Sequence, residues 1–232
     1  MIRNRAAKPR EWRFLQLTIL MCLWMLVSPH TQDRWIVHVL LQVLLVNMVV
    51  VTLWVNPHWQ RIRNVMIALW IVSLAGSLIE FLPLAPEWQR IGTTAEVASL
   101  IPVLVLLSVG ILKYVFGQQH LKSDGIFATV AVYLIIAFLF AQIYLLALTW
   151  NPDSFQLPVP AAERSLHLLQ SDMVYFSMVT LATVGYGDIL PHSETARAIA
   201  VIEAVVGQFY VAVIVAVFVG MYASKQGGRP PT

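Results

Sequence analysis

Apolar residues gather into six runs along the chain: Phe14 to Val27, Trp35 to Val55, Val65 to Leu82, Val97 to Phe116, Ile126 to Trp150 and Ala198 to Tyr222. A helix crossing the hydrocarbon core of a bilayer needs about 20 predominantly apolar residues. The runs therefore predict an all-α membrane protein with six transmembrane helices. The first run is the shortest, and Arg3, Arg5, Lys8 and Arg10 ahead of it give it the outline of a secretory leader. It closes on Ser-Pro-His-Thr-Gln-Asp, which offers no small-x-small cleavage site, so it reads as a retained helix.

The connections are short except between the last two runs, where Asn151 to Ala196 is too long for a simple turn. This stretch opens on Asn-Pro-Asp, passes Pro158 and Pro160, and turns helical again over Ser171 to Ala182, with Ser171 or Asp172 placed to cap the new helix. At about 12 residues that helix is too short to span. Thr183-Val184-Gly185-Tyr186-Gly187-Asp188 follows at once. A half-helix and a glycine-containing loop at membrane depth are tolerated only where protein or a water-filled cavity surrounds them. The expected segment is a re-entrant hairpin, and it is where function is expected. The chain then divides into an N-terminal segment 1–13, a four-helix part 14–116, a part carrying the hairpin 126–222, and a tail 223–232.

Charge orients this arrangement. With six crossings, Arg3, Arg5, Lys8, Arg10, Arg13, Arg61, Arg63, Lys113, Lys122, Lys225 and Arg229 share one side, and Arg34, Arg90, Arg164 and Arg197 the other. The richer side is expected to be cytoplasmic, with both termini there. Apolar residues make up 59% and charged residues 12%, against about a quarter charged in soluble domains, which excludes a soluble enzyme or nucleic-acid binder. Cys22 is the only cysteine and is expected to be a buried, inert thiol. No catalytic motif, nucleotide fingerprint or metal-ligand spacing is found, so neither an enzyme nor a bound cofactor is expected.

The six residues Thr183 to Asp188 resemble the signature of tetrameric potassium channels, the type example of a filter built from backbone carbonyls. The resemblance runs from about Ile126 to Tyr222 as outer helix, pore helix, filter and inner helix, and the first four helices match only loosely. It implies a potassium-selective pore in which the carbonyls of Thr183, Val184, Gly185 and Tyr186 replace the ion's water shell. Carbonyls can converge on one axis only if the backbone visits left-handed conformations, where glycine pays almost nothing, and Gly185 and Gly187 sit where this is wanted. One loop cannot surround an ion, so a homotetramer in membrane lipid is implied, with K⁺ as the permeant ion. Tyr175, Phe176, Val179 and Thr180 take the filter-supporting positions of the pore helix. Tyr175 stands where relatives often have tryptophan, with its hydroxyl within reach of Asp188, and Val179 where some have glutamate.

Gly207 matches the family's hinge glycine; bending and close packing against a neighbouring helix both account for it. Ala204, Gln208, Val211 and Val215 share one helical face and are expected to line the cavity. Glu203, one position away, is expected to pair with a pore-helix or outer-helix group, while Glu80 and Glu96 are expected near water. His38, Gln42 and Asn47 are candidates for bonds across helices. Val97 to Phe116 holds no arginine, and Lys113 near its end would snorkel into the headgroups, so no working voltage sensor is expected. Lipid, pH, tension or a separate regulatory partner remain as stimuli, and the compact size suits a bacterial inner membrane.

Overall fold

The computed structural model describes residues 13–30, 34–55, 60–80, 82, 84–117, 123–161 and 164–227. Arg3, Arg5, Lys8, Arg10, Lys122 and Arg229, which carry much of the charge asymmetry, lie outside the described residues, as do the side chains of His38, Glu80 and Lys225. Among the described residues seven α-helices follow in order: α1 Arg13–Val27, α2 Arg34–Val55, α3 Gln60–Glu80, α4 Pro86–Phe116, α5 Ser123–Trp150, α6 Leu166–Leu181 and α7 Glu194–Gly227. Four of these are long and apolar enough to cross a membrane, namely Gln60–Ile79 in α3, Pro86–Phe116, Asp124–Trp150 in α5 and Glu194–Gly220 in α7. At 1.5 Å per residue the 15 residues of α1 rise only about 22 Å, while α2 has 22 residues.

The first four helices pack on one another and also on α5. α4 folds back on α5 as a hairpin, joined at one end by Tyr114 Oη donating to Asp124 at 3.4 Å and at the other by the Arg90 guanidinium, 4.8 Å from the Trp150 ring centre. α1 runs along α5, with Thr18 near the Phe127 carbonyl, Trp24 edge-on to Phe138 and Ser28 at the base of α6 through Ser171. α3 packs tightly on α4: a Cβ built on Gly76 would stand 2.6 Å from the Gly92 carbonyl oxygen. Small residues permitting backbone approach are the usual means of packing helices in lipid, where the hydrophobic effect does not drive them together. Gln42 meets its expected role, accepting from Trp70 Nε1 at 2.9 Å between α2 and α3.

Three expectations are corrected here. α4 begins at Pro86 rather than Val97, because Gly92 and Thr93, which read as polar connection, are buried together with Glu96 and Ser99. Pro86 sits in the first turn, where its missing N–H costs nothing. Glu96 is thus 5% exposed rather than at the water boundary. Cys22 is exposed, because Leu17, Met21 and Trp24 take the inward face of α1.

Candidate functional site

The site is built at one end of α5 and α7. After α5 a single 3₁₀ turn, Pro152–Ser154, leads into β1 Phe155–Gln156. β1 pairs antiparallel with β2, Leu190–Pro191, in the register Phe155 to Pro191 and Gln156 to Leu190. His192 and Ser193 N–H groups close the clasp on the Ser154 carbonyl at 2.8 and 3.2 Å. Everything between, α6 and the loop after it, therefore leaves and returns at the same end of the α5–α7 pair. The 16 residues of α6 rise about 24 Å, short of the roughly 30 Å hydrocarbon thickness.

α6 begins five residues before the expected start. Ser165 is at its N-cap without a side-chain capping bond, so the capping role expected of Ser171 or Asp172 is corrected. Buried His167 and Gln170 made this first turn read as loop. Asp172 instead forms an ion pair with Arg164. Burial raises the Asp172 pKa, and the charge and hydrogen bond of Arg164 work against that rise.

At its C-terminal end α6 hands over to the loop through its last carbonyls. Ala182 and Thr183 N–H groups bond to Met178 and Thr180 at 3.0 Å each, and Val184 N–H bonds to the Val179 carbonyl at 2.9 Å. From there φ is positive at every second residue: Thr183 at 58°, Gly185 at 59° and Gly187 at 80°. An ordinary strand points successive carbonyls to opposite sides. Reversing the sign of φ at alternate residues turns every second peptide plane over, which lets consecutive carbonyls face one side. Gly185 and Gly187 were legible as the residues for this. Thr183 was not, since a β-branched residue at positive φ is an outlier. Strain of this kind, of order 1–3 kcal/mol, persists only where the surroundings hold it.

Outward-facing side chains tie the loop to α6. Tyr175 Oη donates to Asp188 Oδ2 at 2.7 Å, and the Tyr175 and Tyr186 rings stack at 6.5 Å with planes 5° apart. The bond to Asp188, helped by desolvation, pushes the Tyr175 phenol up to about 12. A cleft of about 210 Å³ remains behind the loop, bounded by Phe176, Val179 and Thr180 on one wall and by Gly185 and Gly187 on the other. The Phe176 ring points the other way, edge-on to Tyr144 and Phe155 at 5.2 Å each.

Glu203, expected to pair with a pore-helix or outer-helix group, meets one residue of each. Glu203 is fully buried; Tyr144 Oη of α5 donates to its Oε2 at 2.6 Å, and Ser177 Oγ of α6 meets its Oε1. Ser177 also stands 2.7 Å from the Ala137 carbonyl. A hydroxyl has one hydrogen and a carbonyl none. All three contacts are satisfied when the carboxyl carries a proton and donates to Ser177, which donates on to Ala137. The triad fastens α5, α6 and α7 together below the loop. Four positions further along α7, a Cβ on Gly207 would stand 2.6 Å from the Leu181 carbonyl oxygen and 2.9 Å from its Cδ1. This favours close packing as the reason for the glycine. Ala204 is half-buried, and Gln208, Val211 and Val215 are exposed on the uncovered side of α7 in the single protomer.

Residues 128–224, from α5 through α7, match a family model described as ion channel. Protein LctB of Bacillus caldotenax is 40% identical over 101 residues, which cover 43% of this chain and 73% of that protein. No solved structure matches the chain.

Proposed function

The chain belongs to the ion channel family, and from that membership we propose that it is a potassium-selective channel subunit working as a homotetramer. The observation that carries this reading is the alternation of positive φ at Thr183, Gly185 and Gly187, in a loop clamped at both ends by β1–β2 and by the end of α6. Four such loops around an axis stack rings of carbonyl oxygen from Thr183, Val184, Gly185 and Tyr186. These bind K⁺ without net charge, so the ion is held weakly enough to leave again. In this reading α6 is the pore helix, and Asp188 and Glu194 recur around the outer mouth to concentrate cations. One loop per chain and an α7 left largely uncovered, with Val201, Val205, Phe209 and Val215 exposed, support the assembly of several copies.

Ala204, Gln208, Val211 and Val215 would line the cavity, and Gly207 would couple α7 to the inner end of the filter through Leu181. The proposed membrane arrangement keeps six crossings with both termini in the cytoplasm, α1 and α2 completing the four longer spans. α4 carries Arg90 in its first turns and Lys113 in its last, with no arginine array between them. Arg90 is held on Trp150. Strong voltage gating, at about 2.3 kcal/mol per charge per 100 mV, has too few charges to act on.

Flux measurement in liposomes tests the reading. Potassium efflux from vesicles holding the parent protein should be lost in Gly185→Asp, which puts a charged side chain on the loop at a positive φ that L side chains rarely adopt. Equal sodium and potassium flux through the parent would refute selectivity. A mass in nanodiscs corresponding to a conducting monomer or dimer would refute the tetramer.

A further inference from the structure

We propose that the cleft where α4 begins and α5 ends is a binding site for the phosphate of an anionic phospholipid. This cleft, of about 410 Å³, is separate from the loop site and is walled by the ends of α4, α5 and α6. Arg90 of α4 and Arg164, just ahead of α6, both line it. Neither guanidinium is used up. The Arg90 guanidinium carbon stands over the Trp150 ring, 4.8 Å from its centre, and a contact with the ring's π-face does not by itself require its N–H donors. Arg164 spends part of its five-donor fork on Asp172.

A helix start adds to the same field. α6 begins at Leu166, which lines the cleft, and has no side-chain cap at its N-terminus, and helix N-termini favour anions through their free N–H groups and dipole. The start of α4 adds little, since Pro86 has no N–H, Trp88 and Gln89 bond to the Ala85 carbonyl, and Glu87 already meets the dipole. Gln89 and Ser165 supply neutral hydrogen-bonding groups on the same wall. A forked guanidinium suits the planar, multi-acceptor geometry of phosphate.

The rest of the wall selects the source of that phosphate. Leu145, Leu148, Leu166 and Leu169 form an apolar floor below the arginines. Trp150, at the last residue of a membrane-length helix, sits at the depth where aromatic residues mark the interface. An apolar floor beneath a cationic rim at this depth matches glycerol and upper acyl chain beneath a headgroup. A free inorganic anion would gain nothing from the leucines. Because the cleft joins α4 to the base of α6, an occupant would brace the peripheral helices against the hairpin that carries the loop.

Native mass spectrometry and thermal melting of the full chain, purified in detergent and supplied with phosphatidylglycerol or phosphatidylcholine, test this. Phosphatidylglycerol should be retained and should raise the melting temperature; phosphatidylcholine should do neither. Arg90→Gln should weaken phosphatidylglycerol retention about tenfold, the loss expected for one charge-assisted contact, and Arg90→Lys should restore part of it. If Arg90→Gln does not fold, the double variant Arg164→Gln with Asp172→Asn, which leaves no uncompensated carboxylate, decides by the same readout. Equal retention of the two lipids, or unchanged retention in these variants, would overturn the site. Inorganic phosphate alone reproducing the full melting shift would overturn the lipid assignment.

Discussion

Gly207→Ala separates two explanations of this glycine by the sign of a stability change. Alanine in a helix interior is favoured over glycine by about 0.5–1 kcal/mol, so a glycine kept only for bending should give a more stable protein when replaced. The packing around Gly207 points the other way. The added Cβ would stand 2.6 Å from the Leu181 carbonyl oxygen, whereas ordinary contact begins at 3.4 Å, so α7 and the end of α6 must separate by about 0.8 Å (3.4 minus 2.6). Leu181 Cδ1 at 2.9 Å and Cγ at 3.1 Å crowd the same atom, and because the nearest contact is with backbone oxygen, a rotation of the leucine does not relieve it. Overpacking of this kind typically costs about 1–3 kcal/mol, which outweighs the propensity gain. The strain falls on the residue two before Thr183, so ion binding at the loop should weaken with stability. Thermal melting in detergent at high and low potassium reads both effects, and Gly220→Ala, where a Cβ meets nothing within 4 Å, shows the propensity term alone. A higher melting temperature for Gly207→Ala than for the parent would refute the contact argument and favour bending.

Four further outcomes follow from the same geometry. Tyr144→Phe removes one buried hydrogen bond to Glu203 and should cost about 1–3 kcal/mol; Glu203→Gln, which keeps a donor for Ser177, should be milder than Glu203→Leu, and the reverse order in melting temperature would contradict the three-contact arrangement. The raised Tyr175 pKa means that its bond to Asp188 is fully present below the ordinary tyrosine value near 10 and is lost as pH rises through about 12; flux should therefore show no Tyr175-dependent step between pH 6 and 9, and a step there abolished by Tyr175→Phe would contradict it. Gly76→Val should disrupt α3–α4 packing and lower the melting temperature more than Val72→Ala on the exposed face of α3. Lys113→Gln should leave the conductance–voltage curve unchanged, and a reduced slope would show a voltage sensor in α4.

Much of this molecule is legible in the sequence because the bilayer enforces it. The long apolar runs correspond to helices, and the positions of Gly185 and Gly187 announce backbone that leaves the ordinary regions. What failed to show was polarity buried between helices. Thr93, His167 and Gln170 read as connection and Glu96 as a residue near water, yet they belong to the first turns of α4 and α6, where neighbouring helices replace water. The positive φ of Thr183 was hidden for a related reason, since residue preference speaks against it and only the bonds after α6 impose it. The partners of Glu203 come from 59 and 26 residues away, a meeting that local pattern cannot encode.

The central claim, a pore that selects potassium by backbone carbonyls, is tested most directly by the reversal potential of the purified channel in a planar bilayer with potassium on one side and sodium on the other. A carbonyl filter selective for potassium gives a reversal potential far from zero, of the sign for potassium permeation, collapsing toward zero in any Gly185 or Gly187 variant that still conducts. A reversal potential at zero for the parent protein would contradict it.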